Sequence, residues 1–219
     1  IMAELNRIIS HLYWLGIYGP FLGHTTMFMW PMGDRELFID LAQMITGARV
    51  TFAYTVPGGV RNDMPDDFKH KALKTFDYFE DRLKEYDKIF IENPIVLKRT
   101  QGIGILKREE AIEIGMTGPN LRASGVNSDT RIDEPYCLYD ELDIEENIPS
   151  LPDGDCWARM MIKRYELKES MEIMRKALAK MPEGPVKLPF RGAIRAPAGE
   201  SFVRTEAARG VMAYYIVSN

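Results

Sequence analysis

Thiols and imidazoles are scarce in this chain, with two cysteines and three histidines among 219 residues. No Cys-x-x-Cys pair occurs, which argues against a four-ligand Cys/His zinc site of ordinary spacing within the chain. Cys137 and Cys156 read instead as reduced, buried or half-buried thiols. Three scattered histidines assemble no Ser/His/Asp or Cys/His constellation. Gly102-Ile103-Gly104 is too little glycine for a phosphate loop, and there is neither an internal repeat nor a low-complexity block. Positive charge is not in excess: 28 Lys and Arg stand against 32 Asp and Glu, a net charge of -4. No broad basic field is available for nucleic acid.

Charge of either sign is missing from Ile8 to Gly33, in a chain that is 27% charged. A run of that length is buried in a bilayer, in the domain's own core, or against a neighbouring protein. Gly16, Gly19, Pro20, Gly23, His24, Thr25 and Thr26 interrupt its centre and argue against lipid, since a spanning helix needs about 20 consecutive mostly apolar residues.

What is present is helical periodicity. Leu5, Ile8, Ile9, Leu12 and Leu15 recur at helical spacing, and Glu4, Arg7 and His11 line another face, read as a surface ion pair with a nearby histidine. His24, past Pro20 and Gly23, reads as a hydrogen-bonded buried or interface histidine. Asp34 is a plausible N-cap for a second helix whose apolar face is Leu37, Phe38, Leu41, Met44, Ile45 and Ala48, ending near Gly47. Val50 to Ala53 reads as a short extended segment, and Pro57-Gly58-Gly59 as a tight turn. Phe68, Ala72, Phe76, Phe79, Leu83, Tyr86 and Phe90 make one stripe of a long amphipathic helix, stopped before Asn93-Pro94. Ile95 to Arg99 adds a turn, and Arg108 to Ile112 a short helix ended by Gly115.

Irregular backbone follows as far as Pro152. Its acidic run Asp140 to Glu146 suits a hard cation on paper, but a solvated loop is the simpler reading. Asp155 to Met181 is a second long helix with Trp157, Met160, Met161, Tyr165, Leu167, Met171, Met174 and Leu178 broadly on one side. After a proline-rich linker, Ser201 to Thr205 and Val211 to Val217 read as two strands joined through Glu206 to Gly210. The expected fold is mainly α with a small β portion, a single domain over residues 1 to 219 that reads as cut at both ends.

Five stretches together resemble one family. They are Glu4-Leu5-Asn6-Arg7-Ile8 with Ser10-His11-Leu12; Thr46-Gly47-Ala48-Arg49 through Pro57-Gly58-Gly59-Val60; Leu121-Arg122-Ala123-Ser124-Gly125-Val126-Asn127; Gly154-Asp155-Cys156; and Ala196-Pro197-Ala198-Gly199-Glu200 with Glu206 to Gly210 and Tyr214 to Ser218. The chain resembles the large hydrophilic, hydrogenase-like peripheral-arm subunit of respiratory complex I, the NADH-quinone oxidoreductase of respiratory membranes.

The resemblance implies a helical bundle of the nickel-iron hydrogenase large-subunit type. It implies an oxidoreductase subunit, inactive alone, peripheral on the cytoplasmic face of the membrane, with an iron-sulfur subunit and a membrane subunit as partners. It also implies quinone as the ligand and an iron-sulfur cluster held by the partner, with no metal bound by this chain alone. Ile17, Phe21, Thr51, Gly58 and Gly59 are its quinone- or cluster-facing candidates, and the first helix would face the cavity and the membrane-side neighbour.

Two positions depart from the family: Phe21 stands where many relatives carry an acid, and Thr51 where many carry a histidine. The short linker from Pro182 to Pro197 looks more like archaeal-type enzymes, whose electron donor need not be NADH. The alternatives are the large subunit of a membrane-bound nickel-iron hydrogenase, whose metal would need two Cys-x-x-Cys pairs outside this chain, and a non-catalytic scaffold subunit.

Overall fold

The computed structural model describes residues 1–144, 148–189 and 196–219. Helix α1 (Met2–Phe21) turns through Leu22 to Thr25 into α2 (Thr26–Thr46), and the two lie side by side. The hairpin β1 (Thr55–Val56) and β2 (Gly59–Val60) leads to α3 (Phe68–Tyr86), which runs on as a π-helical turn, Asp87–Ile91. Short helices follow: α4 (Pro94–Thr100), α5 (Arg108–Glu113), α6 (Gly118–Arg122) and α7 (Thr130–Asp133), then a 3-10 turn, Tyr139–Glu141. Helix α8 (Cys156–Ala179) precedes an antiparallel ribbon, β3 (Gly199–Ala207) and β4 (Gly210–Ser218), in register from Gly199 opposite Ser218 to Ala207 opposite Gly210. Mainly helix with a small sheet at β3–β4 is what periodicity predicts, and the β1–β2 hairpin is a second sheet beyond that expectation.

The aromatic stripe of α3 is the core, as its spacing requires: every one of its seven members from Phe68 to Phe90 is buried. The π-helical turn keeps Phe90 on the stripe, and Phe38 of α2 meets Phe79 edge-to-face with ring centroids 5.0 Å apart. Helix α8 packs against α1, α3, α4 and α6. It is therefore buried on several sides, and Lys163, Glu166, Glu169 and Ser170 are buried along with its methionines, while Tyr165 is exposed.

Four local expectations are corrected. Asp34 caps nothing: α2 begins at Thr26, because Met27 and Phe28 bond back to the His24 and Thr25 carbonyls and start the helix before Pro31. Asp34 lies inside that helix, buried, and its desolvated carboxylate is met by Arg82 Nε at 3.0 Å, Tyr78 at 3.3 Å and Tyr86. Residues 50–53 form no strand, and the ladder starts at Thr55. Cys137 is exposed, at a positive φ of 56°, whereas Cys156 is half-buried. The acidic run is only partly a solvated loop: Asp140 and Glu141 are exposed, but Leu142 and Ile144 pack with Tyr139, Ile173 and Ala177, while Glu145 and Glu146 lie outside the described residues.

Gly47 ends α2 at φ +76°, as expected of a left-handed C-cap. Gly154 does more, since it sets the start of α8. Its φ is +66°, its N–H bonds the Ala123 carbonyl at 2.8 Å, and its own carbonyl accepts from Leu106 at 2.9 Å. A Cβ there would lie 2.2 Å from the Leu106 carbonyl oxygen. Gly154→Ala combines backbone strain with a clash against main chain, so a loss of about 2–3 kcal/mol is expected in urea denaturation of the full-length protein. Asp155, the N-cap, accepts from Ala158 N at 2.7 Å and Gly102 N at 2.8 Å, tying α8 to the preceding loop.

Candidate functional site

Glu4, Arg7 and His11 are not on the surface. They are 0%, 1% and 1% exposed, on the face that α1 turns towards α8 and the irregular segment. Around them five parts of the chain contribute charge: α1, α6, the start of α7, α8 and the end of β3. Arg131 forks onto Asp129, Nε to Oδ1 at 2.9 Å and Nη2 to Oδ2 at 2.8 Å, and also reaches Glu4 Oε1 at 3.2 Å. Glu4 further accepts from Arg7 Nε at 3.1 Å, Ser170 Oγ at 2.6 Å and the Tyr139 hydroxyl at 2.6 Å. Arg122 donates to Glu166 Oε1 at 2.5 Å and to Glu206 Oε1 at 3.0 Å, with Asp129 Oδ2 at 2.9 Å. Arg7 closes the lattice by donating to the Glu206 carbonyl at 2.8 Å.

Burial alone would raise the pKa of Glu4, but Arg7 and Arg131, with the Ser170 and Tyr139 bonds, hold it well below the usual carboxylate range. Glu166 is likewise opposed by burial yet held low by Arg122 and His11. His11 goes the other way: desolvation outweighs Glu166 and lowers its pKa, so the ring is neutral near pH 7 and its Nε2–H donates to Glu166 at 2.6 Å. This pair is a hydrogen bond of a neutral imidazole, not an ion pair.

Glu169 is the exception among the carboxylates. Arg131 Nη2 is 3.1 Å from its Oε1, yet neither oxygen has a hydrogen-bond partner, because Arg131 directs its bonds to Asp129 and Glu4. Burial, offset only in part by Arg131, pushes Glu169 up to about 8. Lys163 is pushed down to about 8 by burial, with Arg159, Arg209 and Arg122 adding repulsion and Glu166 opposing. Two buried groups on α8 thus exchange protons close to neutral pH, a property shared by functional sites and by structural charge networks.

The candidate residues read from the resemblance occupy three places. Ile17 and Phe21 share a face of the last turns of α1, half-buried and 78% exposed respectively. Thr51 is exposed after α2, and its neighbours Val50 and Phe52 line a crevice with Ser10 and Tyr13. From Ser10 to Phe21 the helix rises about 16 Å, so these two places are separate. Gly58 lies in the β1–β2 turn and Gly59 opens β2, where Val60 N and Gly58 O bond residues 186 and 188, at 3.0 and 2.9 Å. A Cβ on Gly59 would come within 2.2 Å of the Val186 carbonyl oxygen, so glycine there is required by the packing of the chain on itself.

The buried lattice escaped sequence reasoning. Its signal was available: three of the five stretches quoted for the resemblance carry Glu4, Arg7, His11, Arg122 and Glu206, and α8 has no wholly polar face.

A mainly helical protein, pinned by a buried arginine-carboxylate lattice that ties the first helix to the β3–β4 ribbon, is the class this fold and site define. Residues 22–191 match the family described as the 49 kDa subunit of respiratory-chain NADH dehydrogenase. The chain belongs to that family. It is 42% identical over 224 residues to an NADH-quinone oxidoreductase subunit of Thermosipho melanesiensis, covering 100% of this chain and 60% of the relative. It is 40% identical over 225 residues to an F(420)H(2) dehydrogenase subunit of Methanosarcina mazei, with the same coverage. A solved structure of the membrane-bound sulfane sulfur reductase, an archaeal respiratory membrane complex, contains a chain with 40% sequence identity and a TM-score of 0.92, over 99% of this chain and 59% of that one. The chain thus spans about 60% of the length of these curated relatives. Among the described residues no helix is long and apolar enough to cross a membrane, and no three His, Cys, Asp or Glu side chains group as metal ligands.

Proposed function

We propose that this chain is the helical part of a peripheral-arm subunit in a membrane-associated oxidoreductase, and that the corner between α1 and α2 borders a quinone cavity beside a partner's iron-sulfur cluster. The observation that carries this reading is an apolar surface on that corner: Phe21 is 78% exposed, Met29 63% and Phe28 41%, in a family of respiratory subunits. Apolar side chains grouped this way suit a quinone ring or tail, or a neighbouring subunit. Ile17 and Phe21 line the ligand side, while Thr51 and the Gly58-Gly59 turn lie nearer the cluster. The iron-sulfur and membrane subunits, the cytoplasmic-side placement and the hydrogenase-type bundle belong to the same proposal.

Phe21 packs but does not titrate. In the purified complex, Phe21→Ala is expected to raise KM for quinone about tenfold, the equivalent of losing most of a buried phenyl contact, with the pH optimum unchanged. Unaltered quinone kinetics would remove Phe21 from the cavity. Thr51→His places a group that titrates near neutrality beside the cluster. The cluster's midpoint potential, nearly independent of pH with threonine, should then fall with pH towards the one-proton, one-electron limit of roughly 59 mV per unit.

The likeness to a sulfane sulfur reductase supports a second reading, in which the acceptor is not quinone. Assaying the same complex with quinone and with a polysulfide separates the two. The nickel-iron hydrogenase alternative needs its Cys-x-x-Cys pairs outside this chain, so Cys137, exposed beyond α7, and Cys156, in the first turn of α8, do not bear on it.

A further inference from the structure

A cavity of about 370 Å³ opens between α1, α6, the first turns of α8 and the β3–β4 turn. One wall is aromatic: Trp14 and Tyr18 stack with centroids 4.6 Å apart and planes inclined by 22°. Three cations meet there. Arg159 and Lys163 project from α8 at helical spacing, and Arg209 comes from the tip of the ribbon.

The cations are answered mainly by neutral groups. Lys163, only 7% exposed, holds its ammonium 3.1 Å from Asn120 Oδ1 and 4.7 Å from the Trp14 ring centroid. Arg159 donates to the Gly154 and Gly104 carbonyls at 2.6 and 2.7 Å. Arg209 is exposed and has no carboxylate partner among the described residues. The flanking carboxylates are engaged elsewhere: Asp155 caps α8, and Glu166 is bound by Arg122 and His11. No carboxylate lines the cavity among the described residues. Like charges gathered in a partly desolvated crevice repel: burial is the main cause of the lowered pKa of Lys163, and Arg159, Arg209 and Arg122 add to it.

We propose that the cavity bounded by Trp14, Tyr18, Asn120, Arg159, Lys163 and Arg209 is an oxyanion site, taking a phosphate or carboxylate group against Lys163 and the two guanidiniums. An oxyanion there gains charge-assisted hydrogen bonds from donors that now face neutral acceptors or solvent. The site adjoins the α1–α2 corner, with Tyr18 one helical turn before Phe21, but phosphate binding and a Lys163 crosslink are read independently of quinone kinetics. The group that fills it is either a free anion or a carboxylate carried by a neighbouring part of the assembled protein.

The test uses the purified assembly containing the full-length chain, with inorganic phosphate as the probe and tryptophan fluorescence as the readout, the signal being assigned through Trp14→Phe. For a free anion, binding is saturable, weakens at least about tenfold in Arg209→Ala and disappears in Lys163→Met. Arg209→Ala keeps the test valid if the buried Lys163→Met variant does not fold, because Arg209 is on an exposed turn. For an attached carboxylate, phosphate does not bind, and zero-length carbodiimide coupling joins Lys163 to an Asp, a Glu or a C-terminal carboxylate, which peptide mass spectrometry identifies. Phosphate binding untouched by Arg209→Ala, or neither phosphate binding nor a Lys163 crosslink, overturns the proposal.

Discussion

Arg122→Met is expected to cost about 3–5 kcal/mol of folding stability, because it strands buried carboxylates that share one guanidinium. Arg122 is 0% exposed and stands against Glu166, Glu206 and Asp129 at 2.5, 3.0 and 2.9 Å. Methionine fills a similar length of side chain, so the loss would come from uncompensated charge more than from a void. Arg122→Lys keeps the charge but cannot fork between α8 and β3, and should recover only part of the loss. Urea denaturation of the full-length protein measures both, with Lys84→Ala as the comparison. That residue's pair with Asp81 is on the surface, screened by solvent, and should contribute little. If Arg122→Met costs no more than Lys84→Ala, the lattice does not hold the fold together.

The second large effect is on the pH dependence of stability. Glu169 has its folded pKa raised from an ordinary 4.5 to about 8. Between those values the folded state holds a proton that the unfolded state has released. This group's contribution therefore declines as pH rises and is exhausted above about 8. Glu4 and Glu166, held low, act in the opposite sense and lose stability only as pH falls below the ordinary carboxylate range. His11, with its pKa lowered from 6.5, adds stability as pH rises towards 6.5 and is then complete. Lys163, lowered from 10.5 to about 8, adds stability as pH rises above about 8.

Among these side chains, the window from 6.5 to 8 is therefore governed by Glu169. Stability should fall there by about 2 kcal/mol, at roughly 1.4 kcal/mol per pH unit for one proton. Glu169→Gln keeps the shape and cannot ionise, so the slope should flatten. Chemical denaturation at closely spaced pH values measures it, and an equal slope in wild type and Glu169→Gln would mean that Glu169 is already ionised at neutral pH.

Helices were legible in the sequence wherever a single apolar stripe was enough to make them. Phe68 to Phe90 repeats on one face and was bound to be buried whatever it packed against, and Gly47, Asn93-Pro94 and Asp155 marked ends that hold in three dimensions. The resemblance, carried by short runs spread along the chain, pointed to the family to which the chain belongs.

Periodicity does not reveal what lies opposite a polar face. Glu4, Arg7 and His11 follow the same spacing as a solvated ion pair, and only the arrival of Arg131, Glu166 and Glu206 from far along the chain makes them interior. Asp34 had the local chemistry of an N-cap until Arg82 and Tyr86, brought across by α3, gave it buried partners. The physical reason is common to both. Local backbone preference and the need to bury apolar surface act along the chain and are written in its spacing, whereas charge is stabilised by whatever dielectric and counter-charge surround it, and those are supplied by tertiary structure alone.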